Sequence, residues 1–398
     1  VLLVTPRWAR DGGVGAHIEA SAAALAAAGM QVSILAARVE SSEPLAGVSV
    51  YRSSALFDTS APMHARVGEA LAAQPEMIHL NQLDDPQVVA YMRRSAPVAI
   101  SAHGYLGCTS GVHYFRPGQE CQRQHGAGCI PNLLARGCAH TRDPRSLPAA
   151  YRQATRAVQA LRGADLAISY SSAMDRHLDV NGVQRRRVIP YFPTLEAKQG
   201  CGHAERRRVL FAGRIVTPKG VATLVRAARE VDAEFVVCGD GWQLPAMRKL
   251  ARRLGVEQRV RFTGWLDADA LAQQFADASV VAVPSLWPEP FGIVGIEAFA
   301  AGRPVVASTT GGIGDWLTDG VSGLGVAPGD ARALARALNE LLADPERQRS
   351  MGAAGHSTLM AKFTAERHVA AIQDAYRAAR LTWEASAGGD ALAVAALA

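Results

Sequence analysis

Lysine is nearly missing from this chain. Four of the 42 basic side chains are lysines (Lys198, Lys219, Lys249 and Lys362), which leaves 38 arginines against 36 acidic residues. Together with abundant alanine, this reads as the coding bias of a GC-rich sequence, so the net charge of +6 does not mark a nucleic-acid partner. The basic runs Arg185-Arg186-Arg187 and Arg206-Arg207-Arg208 read as solvated surface. Contact with an acidic membrane surface or a phosphorylated substrate is the sharper alternative for them. No apolar run reaches the ~18–20 residues that span a bilayer, which excludes a transmembrane helix. Nor does the chain start with a basic segment followed by a signal-like apolar one. Val1-Leu2-Leu3-Val4-Thr5-Pro6 reads as a buried strand, and a cytoplasmic protein is expected.

What is present is a strand–helix alternation. Short β-branched runs at 1–6, 31–37, 48–52, 76–81, 97–103, 165–170 and 187–191 predict one set of strands. A second set is predicted at 208–212, 234–238, 259–263, 279–283, 303–308 and 322–326, with amphipathic helical stretches between the strands. Such alternation predicts α/β architecture, with parallel sheets covered by helices on both faces. At 398 residues the chain exceeds one ordinary core. The Pro- and Gly-rich stretch 191–206 reads as a linker between doubly wound domains at 1–190 and 207–355. Helices over 356–384, packing back on the first domain, and a weakly patterned tail at 385–398 complete the expectation. Doubly wound sheets bind ligands beyond the carboxyl ends of their strands, and two of them facing one another make a cleft.

The most informative stretch is Trp287-Pro-Glu-Pro-Phe-Gly-Ile-Val-Gly-Ile-Glu-Ala-Phe-Ala-Ala-Gly-Arg303. A carboxylate inside so apolar a run costs free energy unless something pairs with it. Pro290 precedes a helix that can start at Phe291 or Gly292. The amides of Phe291, Gly292, Ile293 and Val294 then form an anion site backed by the helix dipole. Glu297, one and a half turns further on, could accept hydrogen bonds from the adjacent hydroxyls of a ribose, and Glu289 would stand nearer the far end of the same ligand. A core ion pair of Glu297 with Arg214 or Arg303 is the competing reading.

In the first loop of the second domain, Arg214 and Lys219 follow a strand end, where a guanidinium and an ammonium can hold a diphosphate. Lys219 breaks the arginine bias, which suggests that a compact ammonium is wanted there. Gly239, in "CGDGW", is another turn where backbone can meet ligand. In the first domain, "DGGVGAH" brings Gly13 and Gly15 to a helix start. It begins six residues past the strand and lacks an acidic ribose ligand on the second strand, so it fits an anion site better than a dinucleotide fingerprint. His103 ends the strand 97–103 and reads as a catalytic or sugar-binding group at the ligand edge, against a structural role. Asn81, Gln82, Tyr105 and His113 are acceptor-side candidates without diagnostic chemistry.

Between His103 and Leu147 the pattern thins, and an insertion at about 104–147 carries Cys108, Cys121, Cys129 and Cys138. In a reducing compartment these suggest a structural zinc more than disulfides, but no Cys-x-x-Cys pair occurs, and unlinked thiols are an equal reading.

The segments "GGVGAH", "AGRIVTPKGVATLVRAA", "GDG", "PEPFGIVGIEAFAAGRPVVAS" and "GGI" resemble, in order and spacing, glycosyltransferase family 4. The resemblance covers most of residues 1–380 and is strongest in the second domain. It implies the two-domain GT-B fold and a retaining, metal-independent transfer from a nucleotide-sugar donor to a small-molecule, glycan or lipid acceptor, while the paired arginine runs permit a peripheral place at the inner membrane face. It also implies that the Gly13 loop, Arg214, Lys219 and the Phe291–Val294 amides hold the diphosphate. Glu297 would take the ribose, Glu289 the sugar near the reacting carbon, and His103 the sugar from the first domain. Some members resemble this chain in having a cysteine-bearing insertion. Gly311-Gly312-Ile313-Gly314-Asp315 departs from the family's Gly-Gly-Ile-Pro-Glu. A nucleotide-sugar epimerase and a non-catalytic nucleotide-sugar-binding protein are the competing functions.

Overall fold

A computed structural model describes residues 1–9, 12–40, 45–83, 85–108, 114–116, 119–135, 145–196 and 207–395; the side chains of 69–70, 114–116, 119, 133–135 and 387–395 fall outside that description. The chain divides into two compact units. One comprises Val1–Gly111, Gln122–Pro190 and Ala365–Ala398, and the other Val112–Cys121 and Tyr191–Thr364.

The first unit is built on strands β1 (Leu2–Trp8), β2 (Val32–Val39), β3 (Val48–Arg52), β4 (Ile78–Asn81) and β5 (Val98–Ser101). The pair β6 (Tyr114–Arg116) and β7 (Gln119–Glu120) forms a separate antiparallel ribbon, and β8 (Leu166–Ser169) and β9 (Arg186–Val188) complete the sheet. Its order is β3-β2-β1-β4-β5-β8-β9, parallel throughout. Strands β1, β4, β5 and β8 are buried on both faces, which is why they read as nearly continuous apolar runs. Helices α1 (Gly12–Ala27), α2 (Met63–Ala72), α3 (Pro86–Met92), α4 (Cys129–Ala135), α5 (Leu147–Gly163) and α6 (Ser172–Val180) connect them.

The second unit repeats the plan with β10 (Arg208–Ala212), β11 (Glu234–Cys238), β12 (Val260–Gly264), β13 (Val280–Val283), β14 (Val305–Ser308) and β15 (Gly323–Val326). The order is β12-β11-β10-β13-β14-β15, again parallel. Its helices are α7 (Val221–Ala227), α8 (Leu244–Arg253), α9 (Ala268–Asp277), α10 (Ile293–Ala300), α11 (Ala331–Ala343) and α12 (Pro345–Lys362). In both sheets the strand order reverses beside the first strand, at β1/β4 and β10/β13, and ligands bind at such switch points.

The carboxyl-terminal region differs from the expectation in two respects. The predicted end of the second domain at 355 falls inside α12, which packs on α10 and is followed by Phe363, whose ring meets Phe291 at 5.6 Å. The last helix, α13 (Ala365–Ala395), joins the first unit, and it extends to Ala395 within the stretch expected to be a tail. The described residues within 112–121, expected as part of a first-domain insertion, group with the second unit, where the Glu120 carboxylate accepts from the Gly311 amide at 2.9 Å. The basic runs also spend charge internally. Arg186 pairs with Asp175 and Asp179, and Arg208 with Glu234 and Asp277.

Candidate active site

The switch point of the second sheet explains the meeting of two residues 70 positions apart. Because β10 lies beside β13, the loops that leave their carboxyl ends are neighbours, and the Leu286 amide donates to the Pro218 carbonyl at 2.8 Å across them. Lys219 comes from the first loop and Glu289 from the second. The Lys219 ammonium reaches both Glu289 oxygens, at 2.8 and 2.9 Å, and lies over the Trp287 ring. Glu289 is only 3% exposed, so this pairing offsets the desolvation that a lone buried carboxylate would suffer. The Ser285 hydroxyl, also buried, donates to Glu289 Oε1 at 2.5 Å. Behind it, the Gly311 backbone lies so close that an added Cβ would fall 2.4 Å from the Glu289 amide nitrogen, and the Gly312 amide donates to the Glu289 carbonyl at 2.7 Å.

Helix α10 starts directly after Glu289. Its N-cap is Gly292 at φ 86°, a left-handed conformation that a Cβ would strain. No side chain caps it, and the first-turn amides of such a helix have no acceptor within the helix. Phe291 is buried, and its carbonyl accepts from the Trp316 indole at 2.8 Å, which fixes the backbone at the helix entrance. One turn on, Glu297 accepts from the Thr194 hydroxyl at 3.2 Å. Its partner is therefore neither Arg214 nor Arg303 among the described residues. Burial pushes the Glu297 carboxyl up to about 7, against the opposing pull of the Thr194 hydrogen bond. Arg214 is exposed in the loop that also carries Lys219, and Gly239 pairs with Gly264, its amide 2.8 Å from the Gly264 carbonyl.

In the first unit, Gly13 and Gly15 lie in the first turn of α1. His103 follows β5, 8% exposed, with Nε2 2.9 Å from Asn81 Oδ1 and its ring stacked on Tyr170. Asn81, expected on the acceptor side, is thus a buried partner of His103. Tyr105, expected there too, is 2% exposed and packs edge-on to His177, so it belongs to the core. His113 and Cys138 lie outside the described residues. No two of Cys108, Cys121 and Cys129 are joined in a disulfide, and no group of three or more potential metal-ligating side chains converges among the described residues.

Ser285, Thr194 and the buried histidines that gather around His103 were not legible as site residues. His17, His79, His103 and His368 surround a cavity of about 20 Å³ or abut its walls, room for one water. The signal that could have found His79 is alternation, since it stands two residues before Asn81 in the otherwise apolar β4.

Residues 196–358, which lie in the second unit, match the family described as glycosyl transferases group 1. The chain is 38% identical over 169 residues to the lipopolysaccharide core biosynthesis glycosyltransferase LpsE of Rhizobium meliloti, covering 42% of this chain and 48% of LpsE. It is 37% identical over 187 residues to a GDP-mannose-dependent phosphatidylinositol monomannoside mannosyltransferase of Mycolicibacterium smegmatis, covering 44% of this chain and 49% of the relative. The chain thus spans about half the length of these sequence relatives. Among solved structures, sucrose-phosphate synthase from Thermosynechococcus elongatus matches with a TM-score of 0.69 at 25% identity, over 94% of this chain and 98% of that one. Anabaena HepE, solved with UDP and glucose, matches with a TM-score of 0.68 at 20% identity, over the same shares. The fold is α/β, with the two Rossmann-like domains of GT-B glycosyltransferases. No described helix is long and apolar enough to cross a membrane.

Proposed function

We propose that this protein is a retaining glycosyltransferase that moves a hexosyl or N-acetylhexosaminyl group from a nucleoside-diphosphate sugar to a small-molecule, glycan or lipid hydroxyl. The observation that carries this reading is the Lys219–Glu289 pair at the β10/β13 switch point, directly before the uncapped start of α10. A diphosphate seated at that helix start meets the amides of Gly292, Ile293 and Val294, with Lys219 and Arg214 as its counter-charges. As the sugar–phosphate bond breaks, negative charge grows on the departing diphosphate, and these fixed donors stabilise it more than they stabilise the intact donor. The two side-chain cations and the helix start supply the positive charge, so the reading calls for no divalent ion at this step. Glu289, oriented by Lys219 and Ser285, meets the sugar, and Glu297 meets the ribose hydroxyls. A carboxyl that titrates near 7 can accept from one hydroxyl and, when protonated, donate to another.

The donor class also finds support in the names of related proteins, one dependent on GDP-mannose and one solved with UDP and glucose. They differ in base, so the base is left unassigned. The test is nucleoside-diphosphate release from UDP-, GDP-, ADP- and TDP-sugars, with and without glycan and lipid acceptors, and NMR of the anomeric configuration of any product. Acceptor-dependent release with retained configuration, lost in Lys219→Ala, supports the reading. Conversion of a donor to its epimer without acceptor, or an inverted product, contradicts it.

A further inference from the structure

Two carbonyls, one on either side of Pro290, are held from one short segment of chain. The Gly312 amide donates to the Glu289 carbonyl at 2.7 Å, and the Trp316 indole donates to the Phe291 carbonyl at 2.8 Å. The second bond answers a specific need. The first carbonyl that α10 uses is that of Gly292, which accepts from the Gly295 amide at 2.9 Å, so the Phe291 carbonyl lies one residue outside the helical ladder. A buried carbonyl without a donor costs free energy, and here a side chain supplies the donor.

The indole is also the surface on which the first turn of α10 rests. Trp316 is buried and meets the Phe299 ring edge-on, with centroids 5.6 Å apart. A Cβ added at Gly292 would lie 3.6 Å from the indole, in ordinary contact, whereas one at Gly295 would collide with it. The ring thus takes the space that a side chain at residue 295 would need. That accounts for a glycine inside a helix, where it is less stable than alanine.

We propose that Trp316 is a positioning residue: through the Phe291 carbonyl and the flank of Gly295 it sets the turn from Glu289 to Gly292, and so aligns the Glu289 carboxylate with the first amides of α10. The inference rests on the reading that these two groups meet the sugar and the diphosphate of one donor. It adds that their spacing is set by a buried ring 25 positions beyond Phe291, acting through the backbone. The indole contributes twice, by a bond that fixes the turn and by a bulk that fixes where the helix lies.

The test reads the bond and the bulk separately, on the full chain. Trp316→Phe keeps an aromatic ring and removes the N–H. Hydrogen exchange should then be about tenfold or more faster at the Gly295 and Gly312 amides, whose own acceptors are unchanged, while the amides of β14 keep their rates. Whichever of UDP, GDP, ADP and TDP the unsubstituted protein binds best should bind the folded variant about tenfold or more weakly, with a lower kcat as well as a higher KM for the corresponding sugar donor. A ring that only filled the core would lower the melting temperature and leave affinity and kcat of the folded protein unchanged. The bulk is read from Gly295→Ala, which should destabilise the unsubstituted protein and stabilise Trp316→Leu, where the new methyl has room. Unchanged exchange at both amides, unchanged affinity and kcat, or a Gly295→Ala effect of the same sign in both backgrounds overturns the proposal. If the exchange and the sign reversal are seen but no nucleoside diphosphate binds the unsubstituted protein, the setting of the turn by Trp316 is supported and the functional reading is the part that falls.

Discussion

Lys219 and Glu289 form a two-pronged ion pair, with the ammonium 2.8 and 2.9 Å from the two carboxylate oxygens, although one side chain is 24% exposed and the other 3%. The partly exposed member can turn to an incoming anion, while the buried one depends on it. Lys219→Ala should therefore cost stability as well as ligand binding, on the order of 1–3 kcal/mol, because it leaves Glu289 with Ser285 as its remaining side-chain partner among the described residues. Lys219→Ala with Glu289→Gln should regain most of that stability and none of the binding. Urea midpoints and nucleotide titrations on the three variants separate the two effects.

Glu297 gives the second unit an alkaline weakness. Its folded-state pKa is raised to about 7 from an ordinary value of 4.5, so the folded protein holds a proton there that the unfolded chain has lost. The resulting contribution to stability is complete below about pH 4.5 and fades as pH rises through 7. Glu297→Gln should therefore gain on the unsubstituted protein as pH climbs from about 4.5 to about 7 and hold that gain above it, as read by thermal melts from pH 4.5 to 8. Thr194→Val should move the carboxyl pKa higher still, because the hydroxyl bond now pulls it down. A ¹³C titration of the carboxyl checks this.

The histidine group gives the first unit the opposite slope. His79 and His103 are depressed to about 3 and His368 to about 4, all chiefly by burial, and His17 is held well below its usual range. The unfolded chain takes up protons at these sites near pH 6.5, and the folded one does so only near their lowered values. Their stabilising contribution is full above about 6.5 and is lost on acidification toward 4, at ~1.4 kcal/mol per pH unit for each histidine. Replacing His368 by Asn should flatten that limb, as seen in denaturant midpoints from pH 7 to 5.

Gly311→Ala should be more damaging than an ordinary loop change. The residue sits at φ 63°, and a Cβ would collide with the Glu289 backbone rather than with a movable side chain. We expect about 2 kcal/mol or more of lost stability together with weakened nucleotide binding, whereas Gly314→Ala, with nothing within 4 Å, should be tolerated. Paired melts and titrations of the two variants provide the comparison.

Most of the sheet framework was legible, because strands buried on both faces write themselves as short apolar runs between turns. Lys219 stood out against the arginine bias, and Glu289 and Glu297 stood out as carboxylates in an apolar stretch. Their pairing was less legible: the sequence offered Arg214 and Arg303 as partners for Glu297, and the actual partner, Thr194, comes from the stretch read as a linker. Contacts of this range depend on which strands become neighbours, and periodicity does not report that. His103 was legible as a site residue, but its grouping with His17, His79 and His368 was hidden for the same reason, since those three come from α1, β4 and α13. The end of the second unit was misplaced because neither α12 nor α13 carries an apolar stripe that tells which sheet it packs on. Only the packing of α12 on α10 shows which unit each helix serves.

The most direct measurement of the central claim is calorimetric titration of the protein with UDP, GDP, ADP, TDP and NADH, repeated on Lys219→Ala and Glu297→Ala. The account predicts that one nucleoside diphosphate binds clearly better than the others and that both substitutions weaken it by about tenfold or more. Binding of NADH alone, or diphosphate binding indifferent to both substitutions, would contradict it.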